Sequence, residues 1–241
     1  MNKALVLGAS GATGRLVVQI LLRKGVEVIA IVRNANALKN IVQSQPGLKI
    51  VEAGISELSK SDLALHLTGC EAVISCLGHN LTFKGMYGHP RCLVTDAIKK
   101  VAKTIESMNV DKTFKIILMN TTGNNNRDIP EHPPYSQRFV VALLRLLLPP
   151  HIDNEKAADF LRTKIGQNHK RIEWTAVRPD GLIDEDQISE YNIHISPVRN
   201  VIFNAGKTSR INVADFMSDL VVMPDLWNEW KGKMPVIYNH V

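Results

Sequence analysis

Leu5-Val6-Leu7-Gly8-Ala9-Ser10-Gly11-Ala12-Thr13-Gly14 is the stretch that decides the fold. An apolar run enters it, glycines recur at three-residue spacing, and the amphipathic pattern Thr13 to Lys24 leaves it. The pattern predicts a strand, a tight turn and a helix. Gly8 permits the sharp exit from the strand, Gly11 leaves room for a pyrophosphate against bare backbone, and Gly14 lets the helix lie close on the sheet. The free N–H groups and positive dipole end of that helix then face the phosphates. Glycines alone could serve a purely structural turn. Here strand, turn, helix and second strand follow in order, which predicts a dinucleotide site with Gly8, Ser10, Gly11, Ala12, Thr13 and Gly14 as its cradle.

Outward from this turn, apolar runs and helical patterns keep alternating, the signature of a parallel sheet with crossover helices. The strands are expected at Ala4 to Leu7, Val26 to Val32, Leu48 to Glu52, Ala72 to Leu77, Phe114 to Asn120 and Ile172 to Arg178. Helices are expected at Thr13 to Lys24, Ala35 to Gln43, Lys60 to Leu67, Leu93 to Met108, Gln137 to Leu148, Asn154 to Asn168 and Val213 to Val222. This is an α/β chain with a doubly wound parallel sheet, a Rossmann fold, read as a single domain over 1–241 with a small C-terminal substrate lobe. Ligands of such sheets bind beyond the carboxyl ends of the strands, where the winding reverses. Two long connections, 123–136 and 179–212, leave from that edge and are expected to wall a substrate pocket.

The end of the second strand bears on the choice of nucleotide. NAD selection uses a carboxylate there to hold the ribose 2'-hydroxyl, whereas a 2'-phosphate needs a cation. Ile29-Ala30-Ile31-Val32 runs into Arg33-Asn34 with no acid in reach. A guanidinium matches phosphate geometry with paired hydrogen bonds, so Arg33 points to NADP over the plainer reading of a solvated arginine.

Composition excludes several other classes. With 45% hydrophobic and 22% charged residues over 241 positions, the chain is too apolar for disorder and too mixed for a membrane bundle. The longest apolar stretch, Phe139 to Pro150, contains Arg145 and is far shorter than the roughly 20 residues that span a bilayer. Gly8 interrupts the N-terminal apolar run before a signal-peptide core can form. The net charge of +6 is scattered and aromatics are only 5%, which argues against a nucleic-acid partner. Cys70, Cys76 and Cys92 form no Cys-x-x-Cys pair, so a reducing, cytoplasmic setting is expected. His79, His89 and Cys92 share one loop without a fourth ligand at a standard spacing, and no metal site is expected.

Gly8 to Gly14, Ile31-Val32-Arg33-Asn34, Val73-Ile74-Ser75-Cys76-Leu77-Gly78 and Trp174-Thr175-Ala176-Val177-Arg178-Pro179 together resemble the atypical short-chain dehydrogenase/reductase family, in its NAD(P)H-binding branch of the biliverdin reductase B/flavin reductase type. Ser209 to Phe216 looks like that family's late segment returning to the sheet. The resemblance implies that Gly8, Ser10, Gly11, Ala12 and Thr13 line the pyrophosphate, that Arg33 meets the 2'-phosphate and that Leu77 and Gly78 border the adenosine. It places Thr121, Arg178 and Pro179 on the nicotinamide side. After the third strand the family often carries Gly-Asp near the adenine; this chain has Ala53-Gly54, a departure.

The larger dehydrogenase family reduces carbonyls with Tyr-x-x-x-Lys, the tyrosine giving the proton. That pair is absent: four residues before Lys156 stands Ile152, and Tyr87-x-x-x-Arg91 lies in a loop. A conjugated acceptor such as a flavin or quinone is therefore expected, since hydride addition spreads charge over its rings and the protein need only orient two ring systems. Thr121 is the candidate for hydrogen bonds to carboxamide or acceptor, and Lys156 for cofactor positioning. Thr121 and Thr122 could equally satisfy backbone groups in a turn. The missing tyrosine also leaves open a non-catalytic NADPH-binding, redox-sensing regulatory protein. The apolar run Phe139 to Leu148 is expected to be buried under the pocket or at a subunit contact, which would allow a homodimer.

Overall fold

The computed structural model describes residues 2–39, 42, 45–79, 88, 90–132 and 134–240. Its centre is an eight-stranded sheet. Strands β1 (Lys3–Leu7), β2 (Glu27–Val32), β3 (Leu48–Glu52), β4 (Ala72–Ser75), β5 (Phe114–Met119) and β6 (Ile172–Pro179) run parallel in the order β3-β2-β1-β4-β5-β6. The winding reverses between β1 and β4, as the doubly wound pattern demands.

Along β1 the side chains alternate. Ala4 and Val6 enter one core with α1 (Gly14–Arg23), while Leu5 and Leu7 enter the other with α3 (Lys60–Leu67) and α4 (Leu93–Ser107). Both faces are thus covered, which is why the central strands read as continuous apolar runs. Between α1 and α3, the short α2 (Ala35–Lys39) starts where Asn34 Oδ1 accepts the N–H groups of Asn36 and Ala37.

The expected helix Asn154 to Asn168 differs in its bounds. Helix α5 (Tyr135–Leu147) abuts α6 (Pro149–Phe160), because Pro149 and Pro150 stop the first and suit the first turn of the second. One π turn, Leu161–Ile165, then ends at Gly166 with φ +66°. The run Phe139 to Leu148 is not buried under the pocket: within α5 only Gln137 and Val141 are buried, and Phe139, Leu143, Leu146 and Leu147 reach solvent.

The C-terminal third carries elements the apolar pattern did not disclose. Short strands β7 (Gly181–Ile183) and β9 (Lys207–Ser209) pair with each other, and β8 (Tyr191–His194) adds antiparallel to β10 (Val236–Asn239), which extends the main sheet from β6. Helix α7 (Arg210–Val222) begins earlier than expected, with Ser209 accepting the Asn212 N–H as its cap, and α8 (Pro224–Trp230) follows at once. Helix α7 packs beside α1, where Lys24 bridges Asp215 at 2.9 Å and also reaches Asp219. No helix among the described residues is long and apolar enough to cross a membrane.

Candidate functional site

A cleft of about 690 Å³ opens over the carboxyl ends of β1, β2, β4 and β5. Its floor is the glycine turn. Gly8 sits at φ +71°, and a Cβ there would come within 2.6 Å of the Cys76 carbonyl oxygen, so neither the conformation nor the space admits a side chain. Gly14 lies beneath, not in, the cleft: its added Cβ would stand 2.1 Å from the Gly8 carbonyl oxygen. Gly11 is exposed and donates its N–H to Gly8 at 3.0 Å, closing the turn. Thr13 precedes α1 without capping it through its side chain. The helix therefore presents backbone donors to the cleft, over a turn kept clear of side chains, and this surface fits a pyrophosphate.

Gly8, Ser10, Gly11, Ala12, Thr13, Arg33, Leu77 and Gly78, all named from the sequence, line this one cleft. Arg33 leaves the end of β2 exposed, with no ion pair to any described carboxylate. Beside it Ala53 to Glu57 form the wall after β3, where Glu57 Oε2 accepts the Gly54 N–H at 2.9 Å.

The remaining candidates lie off the cleft lining. Arg178 is 0% exposed and its guanidinium is fully engaged: Nε on Met234 O, Nη1 on Asn124 O and Glu131, Nη2 on Glu131 at 2.7 Å and on Ile195 O. It clips the 123–136 connection to the 179–212 connection. Pro179 lends its carbonyl to the Thr122 N–H. Thr121 Oγ1 accepts from the Gly123 N–H at 3.2 Å, the plainer of its two readings, and Lys156 is exposed on α6. The two long connections enclose a separate cavity of about 290 Å³ between Pro130, Glu131, His132 and Pro134 on one side and residues 196–200 on the other. Among their described residues, Leu182 and Arg210 touch the main cleft, the latter paired with the largely exposed Asp184 at 2.9 Å.

Sequence reasoning passed over Asn120 and Asn154 and weighed His79 only as a metal ligand; all three line the cleft. Asn120 Nδ2 donates to the Asn154 carbonyl at 2.9 Å, joining the end of β5 to α6. The sequence signal for Asn120 and Asn154 was their closeness to Thr121 and Lys156, and for His79 that it follows Gly78. No group of three metal-ligating side chains assembles among the described residues. His89 and Tyr87 lie outside them.

Residues 8–224 match the NAD(P)H-binding family. The chain belongs to that family. Among curated relatives of this NAD(P)H-binding protein, the chloroplast protein TIC 62 of Pisum sativum is 26% identical over 237 residues, covering 93% of this chain. The chain spans 41% of the length of that relative. Solved structures share the fold at lower identity. A candidate NADH-flavin reductase from Streptococcus pneumoniae is 20% identical, with a TM-score of 0.66 and 100% of both chains covered. An anaerobilin reductase from Escherichia coli is 17% identical, with a TM-score of 0.68 over 99% of this chain and 97% of that one. A short-chain dehydrogenase/reductase from Veillonella parvula in complex with NADP is 13% identical, with a TM-score of 0.65 over 99% and 94%.

Proposed function

We propose that this NAD(P)H-binding protein is a reductase that takes NADPH in the main cleft and passes hydride to a small conjugated acceptor, a flavin, a quinone or a similar ring system. The observation that carries the reading is the pairing, in one cleft, of a side-chain-free phosphate cradle with an exposed Arg33 that faces no carboxylate partner. Gly8, Ser10, Gly11, Ala12 and Thr13 would hold the pyrophosphate, Arg33 the 2'-phosphate, and Leu77 and Gly78 the adenosine side. Bound there, the dihydronicotinamide supplies a hydride. The chain's own part is to orient the rings and to keep Asn120 and Asn154 in register at the end of β5. The absence of Tyr-x-x-x-Lys favours an acceptor whose charge is delocalised over simple ketones and sugar epimers. The free cysteines Cys70, Cys76 and Cys92 suit the reducing cytoplasm.

The test pairs two measurements on one sample: NADPH binding by titration, and loss of NADPH absorbance with a panel of flavins and quinones. Turnover with any of them supports the reductase. Tight binding without turnover overturns it in favour of an NADPH-sensing regulator.

A further inference from the structure

Helix α5 turns its apolar side outward. Of its 13 residues Gln137 and Val141 are buried, whereas Tyr135 is 86% exposed, Phe139 72%, Leu143 44% and Leu146 80%. The buried amide of Gln137 faces inward beside the smaller cavity. Folding of one chain rewards the opposite arrangement, with aromatic and leucine side chains inside and the amide in water. A single exposed leucine needs no explanation, but here four large apolar side chains share one helix.

The exposed side chains also keep a register. Tyr135, Phe139, Ala142 and Leu146 follow at steps of four, three and four, the alternation that holds a stripe against a second helix. Leu143 flanks the stripe on one side and Arg138 on the other. Ala142, exposed and small, lies at its middle and allows two backbones to approach closely. At roughly 200 Å² for each such residue when fully open, Tyr135, Phe139, Leu143 and Leu146 leave about 600 Å² in water. Two such faces cover about 1,200 Å², the area at which specific interfaces begin.

A lipid surface matches this face less well, because interfacial helices are rich in lysine and arginine that stay open to the headgroups. Arg145 is gripped by Glu155 through Nε and Nη2, and the Arg138 guanidinium lies over the Tyr135 ring, 5.6 Å from its centroid. No residue of α5 lines the main cleft, so what covers this helix is independent of what the cleft binds.

We propose that α5 is a dimerisation helix and that its partner is a second copy of this chain. The two helices run antiparallel about a two-fold axis beside Ala142, so that the same face serves both copies. Phe139 of each copy packs against Leu146 of the other. Antiparallel helix dipoles offset each other, and the two Arg138 side chains stand apart; a parallel pair would set those like charges at one level.

Sedimentation of the intact chain tests the pairing, with Phe139→Lys and Leu146→Lys as variants and circular dichroism as the check on folding. The wild type is expected as a dimer, and each variant should weaken association about 100-fold or more while keeping the wild-type spectrum. Only positions at the axis meet their own copies, so Ala142→Cys should form a disulfide-linked dimer on mild oxidation and Ser136→Cys should form no more than the wild type. A monomeric wild type overturns the proposal and needs no variant to fold. A dimer that survives both lysine substitutions in folded protein assigns association to another surface and overturns it as well. A monomer that pellets with phosphatidylglycerol vesicles, and is released by Leu146→Lys, gives the face to lipid and overturns it too. Crosslinking at Ser136→Cys equal to that at Ala142→Cys overturns the antiparallel arrangement.

Discussion

At the scale of single residues, the three glycines of the turn do different work, and substitution should separate them. Gly11→Val places its side chain on the exposed rim of the turn, 3.2 Å from the Gly8 carbonyl at Cβ, in the space proposed for phosphate. It should fold and lose NADPH affinity by about 100-fold, roughly 2.7 kcal/mol, in a binding titration. Gly14→Ala drives a Cβ to 2.1 Å from backbone and should instead unfold the chain or lower its stability by about 3 kcal/mol, read by thermal denaturation. Arg33→Asp should reverse the proposed preference of NADPH over NADH; equal affinities in the native protein would refute the role given to Arg33. Thr121→Ala and Lys156→Ala remove groups that do not line the cleft, so each should keep the reduction rate within about fivefold. Four of these five positions also show how far residue types can be read unaided. Gly11 and Arg33 were found through spacing and strand register and line the cleft, whereas Thr121 and Lys156 sit one and two residues from Asn120 and Asn154, which the folded chain brings to the cleft.

At the scale of elements, the junction of α5 and α6 carries an acid-sensitive tie. Arg145 grips Glu155 through Nε and Nη2 at 2.8 to 3.0 Å, and His151 Nε2 lies 3.3 Å from Oε1. Burial alone would raise the Glu155 carboxyl, but His151 and Arg145 more than offset it and hold it at about 2, below its ordinary 4.5. A carboxylate lowered on folding stabilises the protein above its unfolded value and loses that contribution as pH falls through the folded value. Stability from this tie should therefore be complete above about pH 4.5 and fade toward pH 2. Because Arg145 is 41% exposed and screened by solvent, its size is on the order of 2 kcal/mol. Glu155→Gln should lower the melting temperature at pH 7 and flatten its fall between about pH 4.5 and 2; an unchanged acid profile would refute the assignment.

At the scale of the whole molecule, a ligand seated across the winding reversal touches the ends of several strands and should stabilise the entire fold. NADPH at about 100 times its dissociation constant contributes roughly 2.7 kcal/mol, which for a chain of this size raises the melting temperature by about 5–10 °C. NADH at the same concentration should raise it less, and no shift with either would overturn dinucleotide binding by the folded chain. The amino-acid sequence by itself determined the alternation of strands and helices expected of a doubly wound sheet and the glycine turn at Gly8 to Gly14, because strand and helix periods and glycine spacing are local properties of neighbouring residues, whereas the reversal between β1 and β4 is a matter of strand order. Short strands such as β7 to β10 carry too few residues to show a period, and they exist only because a neighbouring strand or connection pairs with them. The tertiary structure alone decided that Arg178 is spent on Glu131 and Ile195, and that His79 meets Asp153. Those partners lie 17 to 74 positions apart in the chain, and only packing of the strand ends against α4 and α6 brings such side chains within hydrogen-bond reach.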